Sequence, residues 1–475
     1  MIKHISFRFQ LVILLILLLP CWSAPVSARE NISGHRITVK ITNCSDSLFY
    51  LNHYSGDEIT NDDTARLNPA GYFVFQGNDI LEDGLYFISS NSKTRYFDFF
   101  ITDNQQITLE CDLSNVIKTL KTTDSHENQI YYTTLLLLQS NLREKDDANQ
   151  DSIQYLLDHT DFSLPVMQQI FGKPNDKLTL SEKYLKACIS PSIFQKYFSR
   201  QGNKKNETSV PFYLGHYFDN LDFSDDRLIN TPVLTQKMDE FVDTLSGMPE
   251  LLIQENVDHL INLSSGNKKI QEFIVWHLAS RYETYYFLPG YDAIYVHIVN
   301  DFLVNGKVSW YFPELKEREL SQVKKFESLL NGKIGPDLEM PDTGYIFRDL
   351  YSIKAPYTLL LFWASTCSHC RDEMPSIIQF YNDFHKKYEL EIFGVSTDTS
   401  VTRWKWYVRR HKLEWINVFG RKNIHGSYHT LYNIQSTPTL FLLDERKKII
   451  AKYLKPEQFG EIIKNLEEQK RKDLH

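Results

Sequence analysis

No second Cys-x-x-Cys accompanies the one at Cys367-Ser368-His369-Cys370, so a zinc site built from two such pairs is excluded. Basic residues are not in excess: 52 Lys and Arg stand against 60 Asp and Glu, a formal net charge of −8, which argues against nucleic acid as a partner. Beyond Leu19 no apolar run is long enough to cross a bilayer. There is no clean internal repeat, and nothing suggests global disorder, because 42% of the residues are hydrophobic and 13% aromatic, enough for packed cores.

The apolar run that is present lies at the very start. Lys3 and Arg8 precede Leu11 to Leu19, and Val26-Ser27-Ala28 offers a small-residue cleavage site, so residues 1–28 read as a secretory signal. An uncleaved anchor also fits, while Cys21 after Leu19-Pro20 is a poor lipoprotein signal. Each reading places the remaining chain outside the cytoplasm, in the periplasm or cell envelope. With Lys3 and Arg8 gone, 50 basic side chains face 60 acidic ones, a net of −10. Five cysteines remain, Cys44, Cys111, Cys188, Cys367 and Cys370. The number is odd, so at least one is unpaired within the chain. Cys44 and Cys111 fit either a staple or two buried free thiols, and Cys188 fits inert packing.

Three textures follow one another along the chain. Residues 35–115 show short period-two runs such as His35 to Ile41, Gly71 to Phe75 and Gln106 to Glu110, punctuated by Gly, Asn and Asp, which predict a small all-β, sandwich-like domain. Residues 126–326 carry apolar side chains at three- and four-residue spacing, as in Ile270 to Arg281 and Ile294 to Val304, and predict an all-helical domain. Glu144 to Ser152 reads as a solvated helix end or loop, and Arg200 to Thr208 as an exposed connection. Residues 334–472 alternate: strands over Thr358 to Trp363, Leu390 to Val395, Trp415 to Phe419, Thr439 to Leu443 and Lys448 to Ala451, with helices from Cys367, over Val401 to His411, over His425 to Tyr432 and after Pro456. Such alternation predicts an α/β sheet covered on both faces. The whole is thus expected to be a multidomain α+β protein.

The chemistry concentrates at Cys367 and Cys370. A helix opening at Cys367 sets the two sulfurs three residues apart on one face, close enough to form and break a disulfide. The thiolate is the attacking species. Unpaired N–H groups and the helix dipole at the strand-to-helix junction favour the Cys367 anion, and a protonated His369 would add positive charge. Cys370, one turn inside, is expected to be shielded and to resolve the mixed disulfide. Glu373 lies three residues further on the same face. It fits a base for Cys370 and fits equally an ordinary glutamate favoured by the dipole. Pro375 is expected to bend the helix. A lone Cys-x-x-Cys can also be half of a zinc site, completed by His425 and His429 one turn apart, although these histidines read more simply as surface or capping residues. No metal and no cofactor is expected. Thr437-Pro438 opens an apolar strand, where a Pro marks either a special turn or a plain strand start. A cis bond there would present the Thr437 backbone to a partner peptide as an added strand.

These residues carry a resemblance. Leu361-Phe362-Trp363-Ala364, Cys367-Ser368-His369-Cys370 and Thr437 to Asp444 resemble the thioredoxin superfamily over residues 334–470. Cys370-Arg371-Asp372-Glu373-Met374-Pro375, Gly394 to Asp398 and the 68 residues between Cys370 and Pro438 resemble its exported TlpA/ResA-type members. The upstream regions, through Gly71 to Phe75, Tyr96 to Phe99 and Gly290 to His297, resemble N-terminal domains of unknown function in secreted Bacteroidota-type thioredoxin-like proteins. The chain departs from the common pattern in having Thr366 where thioredoxins carry Trp, and Leu361 where they bury an Asp. The resemblance implies a thiol–disulfide oxidoreductase: Cys367 as nucleophile, Cys370 as resolver, Glu373 as proton acceptor, His369 tuning the potential, Thr437 and Pro438 docking the partner, and Trp363 supporting the substrate site by packing. The partners implied are protein thiols and disulfides, with a membrane or envelope electron donor possible. Two alternatives stand beside it. A redoxin-type peroxidase needs a Thr and Pro at set spacing before its reactive Cys, and this chain lacks them before Cys367. A non-enzymatic envelope binding module would leave the work to the roughly 300 upstream residues.

Overall fold

A computed structural model of the chain describes residues 34–142, 153–160, 171–189, 210–309, 313–420 and 426–473. The leader at 1–28, the stretches Glu144 to Ser152 and Arg200 to Thr208, and His425 lie outside the described residues. The described residues fall into two compact units: the first runs to Thr160 and includes 177–182, the second holds the rest.

In the first unit, β1 (His35–Thr42), β2 (Leu48–Ser55), β3 (Glu58–Arg66), β4 (Phe73–Gly77), β5 (Gly84–Ser90), β6 (Arg95–Ile101) and β7 (Gln106–Asp112) form two sheets, ordered β4-β1-β7 and β3-β2-β5-β6. The period-two pattern works as read. Ile37 and Val39 of β1, with Phe73, Phe75 and Leu109, bury against Phe49, Leu51, Ile88 and Phe99 of the other sheet. Helix α1 (His126–Ser140) follows, capped by Ser125. Its Asn128 side chain donates to the Phe100 carbonyl (2.7 Å) and accepts from the Phe100 N–H (2.7 Å). One amide thereby satisfies both backbone groups of a β6 residue. Cys44 and Cys111 are both free thiols, as is Cys188 of the second unit.

The second unit begins its main helices with α2 (Val233–Leu245), α3 (Glu250–Leu263), α4 (Lys268–Thr284), α5 (Tyr291–Ile298) and α6 (Pro313–Glu327). Apolar positions at helical spacing, such as Ile253, Val257, Leu260 and Ile261 of α3 or Ile270, Ile274 and Leu278 of α4, are fully buried. The run predicted helical over Ile294 to Val304 divides: α5 ends at Ile298 and Val299–Val304 is a π-helical turn.

The C-terminal part of this unit comprises β8 (Glu339–Pro341), β9 (Phe347–Asp349), β10 (Tyr357–Trp363), α7 (Ser368–Tyr388), β11 (Leu390–Ser396), α8 (Val401–Arg410), β12 (Ile416–Phe419), α9 (Tyr428–Leu431), β13 (Thr439–Asp444), β14 (Ile449–Lys452) and α10 (Pro456–Asp473). Five of its strands form one sheet, ordered β12-β11-β10-β13-β14, with β10, β11 and β12 mutually parallel, β13 antiparallel to β10, and β14 antiparallel to β13. The unbroken apolar run of β10 reflects burial on both faces. Leu359, Leu361 and Trp363 pack under α7, α8 and α10, whereas Leu360 and Phe362 pack on the other side with Met340, Tyr428 and Tyr432. Each such side chain contributes about 1.5–3 kcal/mol by leaving water.

The β14 edge of the sheet is closed. Gly332 and Gly335 donate to the carbonyls of Ile449 (2.7 Å) and Lys447 (2.8 Å), and Ile449 donates to Lys333 (2.8 Å), so the incoming chain occupies groups that an edge strand would otherwise expose. Beside it, Lys452 of β14 is buried in an ion pair with the equally buried Asp292 of α5, and also donates to the Leu329 carbonyl. Tyr453 lies edge-on to Tyr286 at 5.7 Å. The helices and the sheet are thereby joined across a core contact.

Candidate functional site

Strand β10 ends at Trp363 and α7 begins at Ser368, so Cys367 is the N-cap residue. Its φ of −76° and ψ of 127° are extended, and its sulfur accepts from the Cys370 N–H at 3.4 Å, where a capping Ser or Asp oxygen would ordinarily sit. The Cys367 thiol also lies 3.2 Å from the Thr437 carbonyl. The Thr437–Pro438 bond is cis, and both residues are half-buried. Cys367 is half-buried too, whereas Cys370 is 1% exposed, its sulfur accepting from the Ala364 N–H at 3.5 Å. The sequence-predicted Cys367, Cys370 and Thr437 thus come together, and α7 continues uninterrupted through Pro375.

Burial works against the Cys367 anion, but the Cys370 N–H, the Thr437 and Cys370 side chains and the His369 N–H together outweigh it, and the thiol falls below its ordinary pKa. For Cys370 burial dominates, the anion of Cys367 adds to it, and the thiol is pushed up to about 12. One thiol is therefore prepared to ionise and its neighbour to stay protonated. Alkylation by iodoacetamide is expected to report this split: Cys367 labels with a midpoint below that of a free cysteine, and Cys370 resists until the pH approaches about 12. Equal labelling profiles in a tandem-mass readout would contradict it.

The remaining candidates are placed as follows. The His369 ring is exposed, and the group that reaches Cys367 is its backbone N–H. Glu373 is half-buried on α7, one turn from Cys370. Trp363 is 0% exposed and lies 5.3 Å from the Tyr407 ring, so it supports the site from beneath and cannot touch a substrate. His429 caps locally, its Nδ1 3.0 Å from the Ile434 carbonyl. Among the described residues no three His, Cys, Asp or Glu side chains are grouped to hold a metal.

Sequence reasoning did not single out Asp398 or Arg371. Asp398, 4% exposed, accepts from the Ser365 N–H (2.9 Å), the Ser365 hydroxyl (2.8 Å) and the Ser396 hydroxyl (2.9 Å). Arg371 donates to the Thr366 carbonyl at 3.0 Å. Together they pin Ser365 and Thr366, the two residues leading into Cys367, and so fix where its sulfur points. The signal for Asp398 was an acidic residue just beyond the end of a buried parallel strand, where sites gather in open sheets.

One family match falls on this region. Residues 356–449 match the thioredoxin-like family model, described as thioredoxin-like. The C-terminal domain is a thioredoxin-like domain. It resembles the thioredoxin-like protein YneN of Bacillus subtilis, 27% identical over 126 residues, which are 26% of this chain and 71% of that protein. The thiol-disulfide oxidoreductase ResA of Bacillus cereus is 26% identical over 129 residues, 27% of this chain and 72% of that protein. A solved domain of a possible thiol-disulfide isomerase from Cytophaga hutchinsonii is 32% identical, covering 30% of this chain and 97% of that one, with a TM-score of 0.28. The domain is thus TlpA/ResA-like within the thioredoxin superfamily, and its class is that of the thiol–disulfide oxidoreductases. Residues 203–325 match a domain of unknown function, DUF5106. Among the described residues no helix is long and apolar enough to cross a membrane.

Proposed function

We propose that this protein is an exported thiol–disulfide oxidoreductase that works through the Cys367–Cys370 pair in the periplasm or cell envelope. The observation that carries the reading is the contrast within the pair: a half-buried, anion-favouring Cys367 at a helix start, over a buried Cys370 held protonated. The leader at residues 1–28 supports export, and an oxidising compartment is where disulfide chemistry between proteins is in demand.

The Cys367 thiolate attacks one sulfur of a partner disulfide. A Cys367–partner bond forms, the partner bond breaks, and its other sulfur leaves as a thiolate that takes up a proton. The Cys370 thiol gives its proton to the Glu373 carboxylate and attacks the Cys367 sulfur. The Cys367–Cys370 disulfide forms and the second partner thiolate departs. Two electrons have then passed from the pair to the partner, and the same steps in reverse oxidise a partner dithiol. Thr437 and Pro438 take the partner backbone beside Cys367, and His369 adjusts the potential from the exposed side.

Capture of the intermediate tests this reading. Cys370→Ala is expected to accumulate a mixed disulfide with a test protein that dithiothreitol releases, and Glu373→Gln to form it at the parent rate but resolve it at least about tenfold more slowly. A Cys370→Ala protein that forms no adduct would sink the assignment. A pair potential near about −120 mV would mark an oxidant and one near about −270 mV a reductant.

A further inference from the structure

The face beside the thiol is basic and aromatic in a chain that is acidic overall. Helix α8 carries Arg403, Lys405, Arg409 and Arg410 and no carboxylate, against a net charge of −8 for the whole sequence. It already has a buried face, Trp404, Tyr407 and Val408. Trp406 nevertheless stands on the opposite side, 61% exposed.

Two shallow grooves meet at Trp406. The first is lined by Ser365, Arg371, Arg403, Trp406, Tyr407 and His411. Ser365 and Arg371 flank the Cys367–Cys370 motif in sequence, so this groove lies beside that motif. The second runs on from Trp406 past Lys405, Arg409 and Arg410 to Tyr345. There Lys405 lies 3.7 Å from the centre of the Tyr345 ring. Tyr345, Ile346 and Phe347 are 68%, 59% and 59% exposed at the β8–β9 turn. Single exposed apolar residues are ordinary, but here Trp406 and Tyr345 line one groove with Lys405, Arg409 and Arg410.

A solvated basic helix accounts for the charges, and Arg409 and Arg410 suit a helix C-terminus. It does not account for the exposed aromatics, nor for a groove that runs from beside the Cys367–Cys370 motif. Arg, Trp and Tyr are the residue types that dominate protein recognition. Among the described residues none of the α8 cations is in an ion pair with a carboxylate, and Asp372, exposed next to Arg371, is in none either.

We propose that the surface from Arg371 across Trp406 to Tyr345 docks the protein partner, and that it selects partners carrying acidic side chains next to the cysteine that is exchanged. This rests on the redox reading of Cys367 and adds the partner class to it. Cationic grooves raise the arrival rate of anionic chains, and the effect is screened by salt. A groove that starts beside the Cys367–Cys370 motif suits a polypeptide lying along it, whereas a membrane surface would need a protruding face.

The test uses the full chain in a Cys370→Ala background, so that only the first attack is read, whatever the potential. The probes are two fluorogenic disulfide peptides, identical except for three Glu or three Gln after the cysteine. The Glu peptide is expected to be captured about tenfold faster at low salt, with the preference fading at high salt. The triple substitution R403Q, R409Q, R410Q, and separately W406A, are expected to collapse the ratio of the two rates towards one. Using a ratio cancels any general loss of reactivity. Equal rates for the two peptides, or a preference that survives the triple substitution, overturn the docking surface while leaving the redox reading intact. Capture of neither peptide overturns both. Binding to phosphatidylglycerol vesicles that the triple substitution abolishes, with no preference between peptides, also overturns it and gives this face to a membrane.

Discussion

Cys367→Ser is expected to slow exchange with any test disulfide by at least about a thousandfold, while leaving the fold in place. A serine hydroxyl is not ionised near neutrality and forms no bond to sulfur that a second thiol can displace. Cys370 cannot substitute. It is 1% exposed, and burial, the largest cause of its raised pKa, still acts against its anion when Cys367 is gone. The hydroxyl should still accept from the Cys370 N–H, the ordinary role of an N-cap serine, so the thermal midpoint is expected to change little. A Cys367→Ser protein that exchanged disulfides at the parent rate would refute the assignment, and one that had lost its fold could be replaced by Cys367→Ala for the same measurement.

The largest expected effect on stability lies elsewhere. Lys452→Met should cost about 3–5 kcal/mol in urea unfolding of the second unit, because it strands the Asp292 carboxylate in a buried site. Burial opposes both charges: it raises the pKa of Asp292 and lowers that of Lys452, and in each case the partner acts against it. With Lys452 gone, the Asp292 pKa rises further. A carboxyl whose folded pKa is raised contributes stability below its unfolded value and loses it as pH rises through the folded one. The gap between parent and Lys452→Met is therefore expected to be smallest in acid, and to widen as the pH climbs above about 4, the unfolded aspartate value. Removing both charges, as Lys452→Met with Asp292→Leu, should recover most of the loss. A double variant as unstable as the single one, or a gap that narrows with rising pH, would show that the pair is not what holds this contact.

The candidate site was legible because it is local. Cys367 and Cys370 are three residues apart, and a strand-to-helix junction around them follows from the Tyr357 to Trp363 run. Thr437-Pro438 was legible by its oddity before an apolar strand. The Asp398 network was not, since it is set by register. Parallel pairing puts Ser396 opposite Trp363, and only then do Ser365 and Asp398, two residues beyond each, come side by side. The β8–β9 hairpin has three-residue strands, too short for a period-two pattern to register. The change from α to π at Val299 leaves the spacing of apolar residues almost untouched, so the sequence reads through it. Nor could any pattern pair Lys452 with Asp292, which are 160 residues apart.

That last contact bears on how the protein can be handled. A shortened reagent beginning after Leu329 would keep the thiols but discard α5, stripping the Lys452 ammonium of both its partners and uncovering the Tyr453 ring beside it. Fragments of this kind are expected to clump or to partner one another through the newly bared flank. Properties measured on them would then describe that artefact rather than the redox centre of the intact polypeptide.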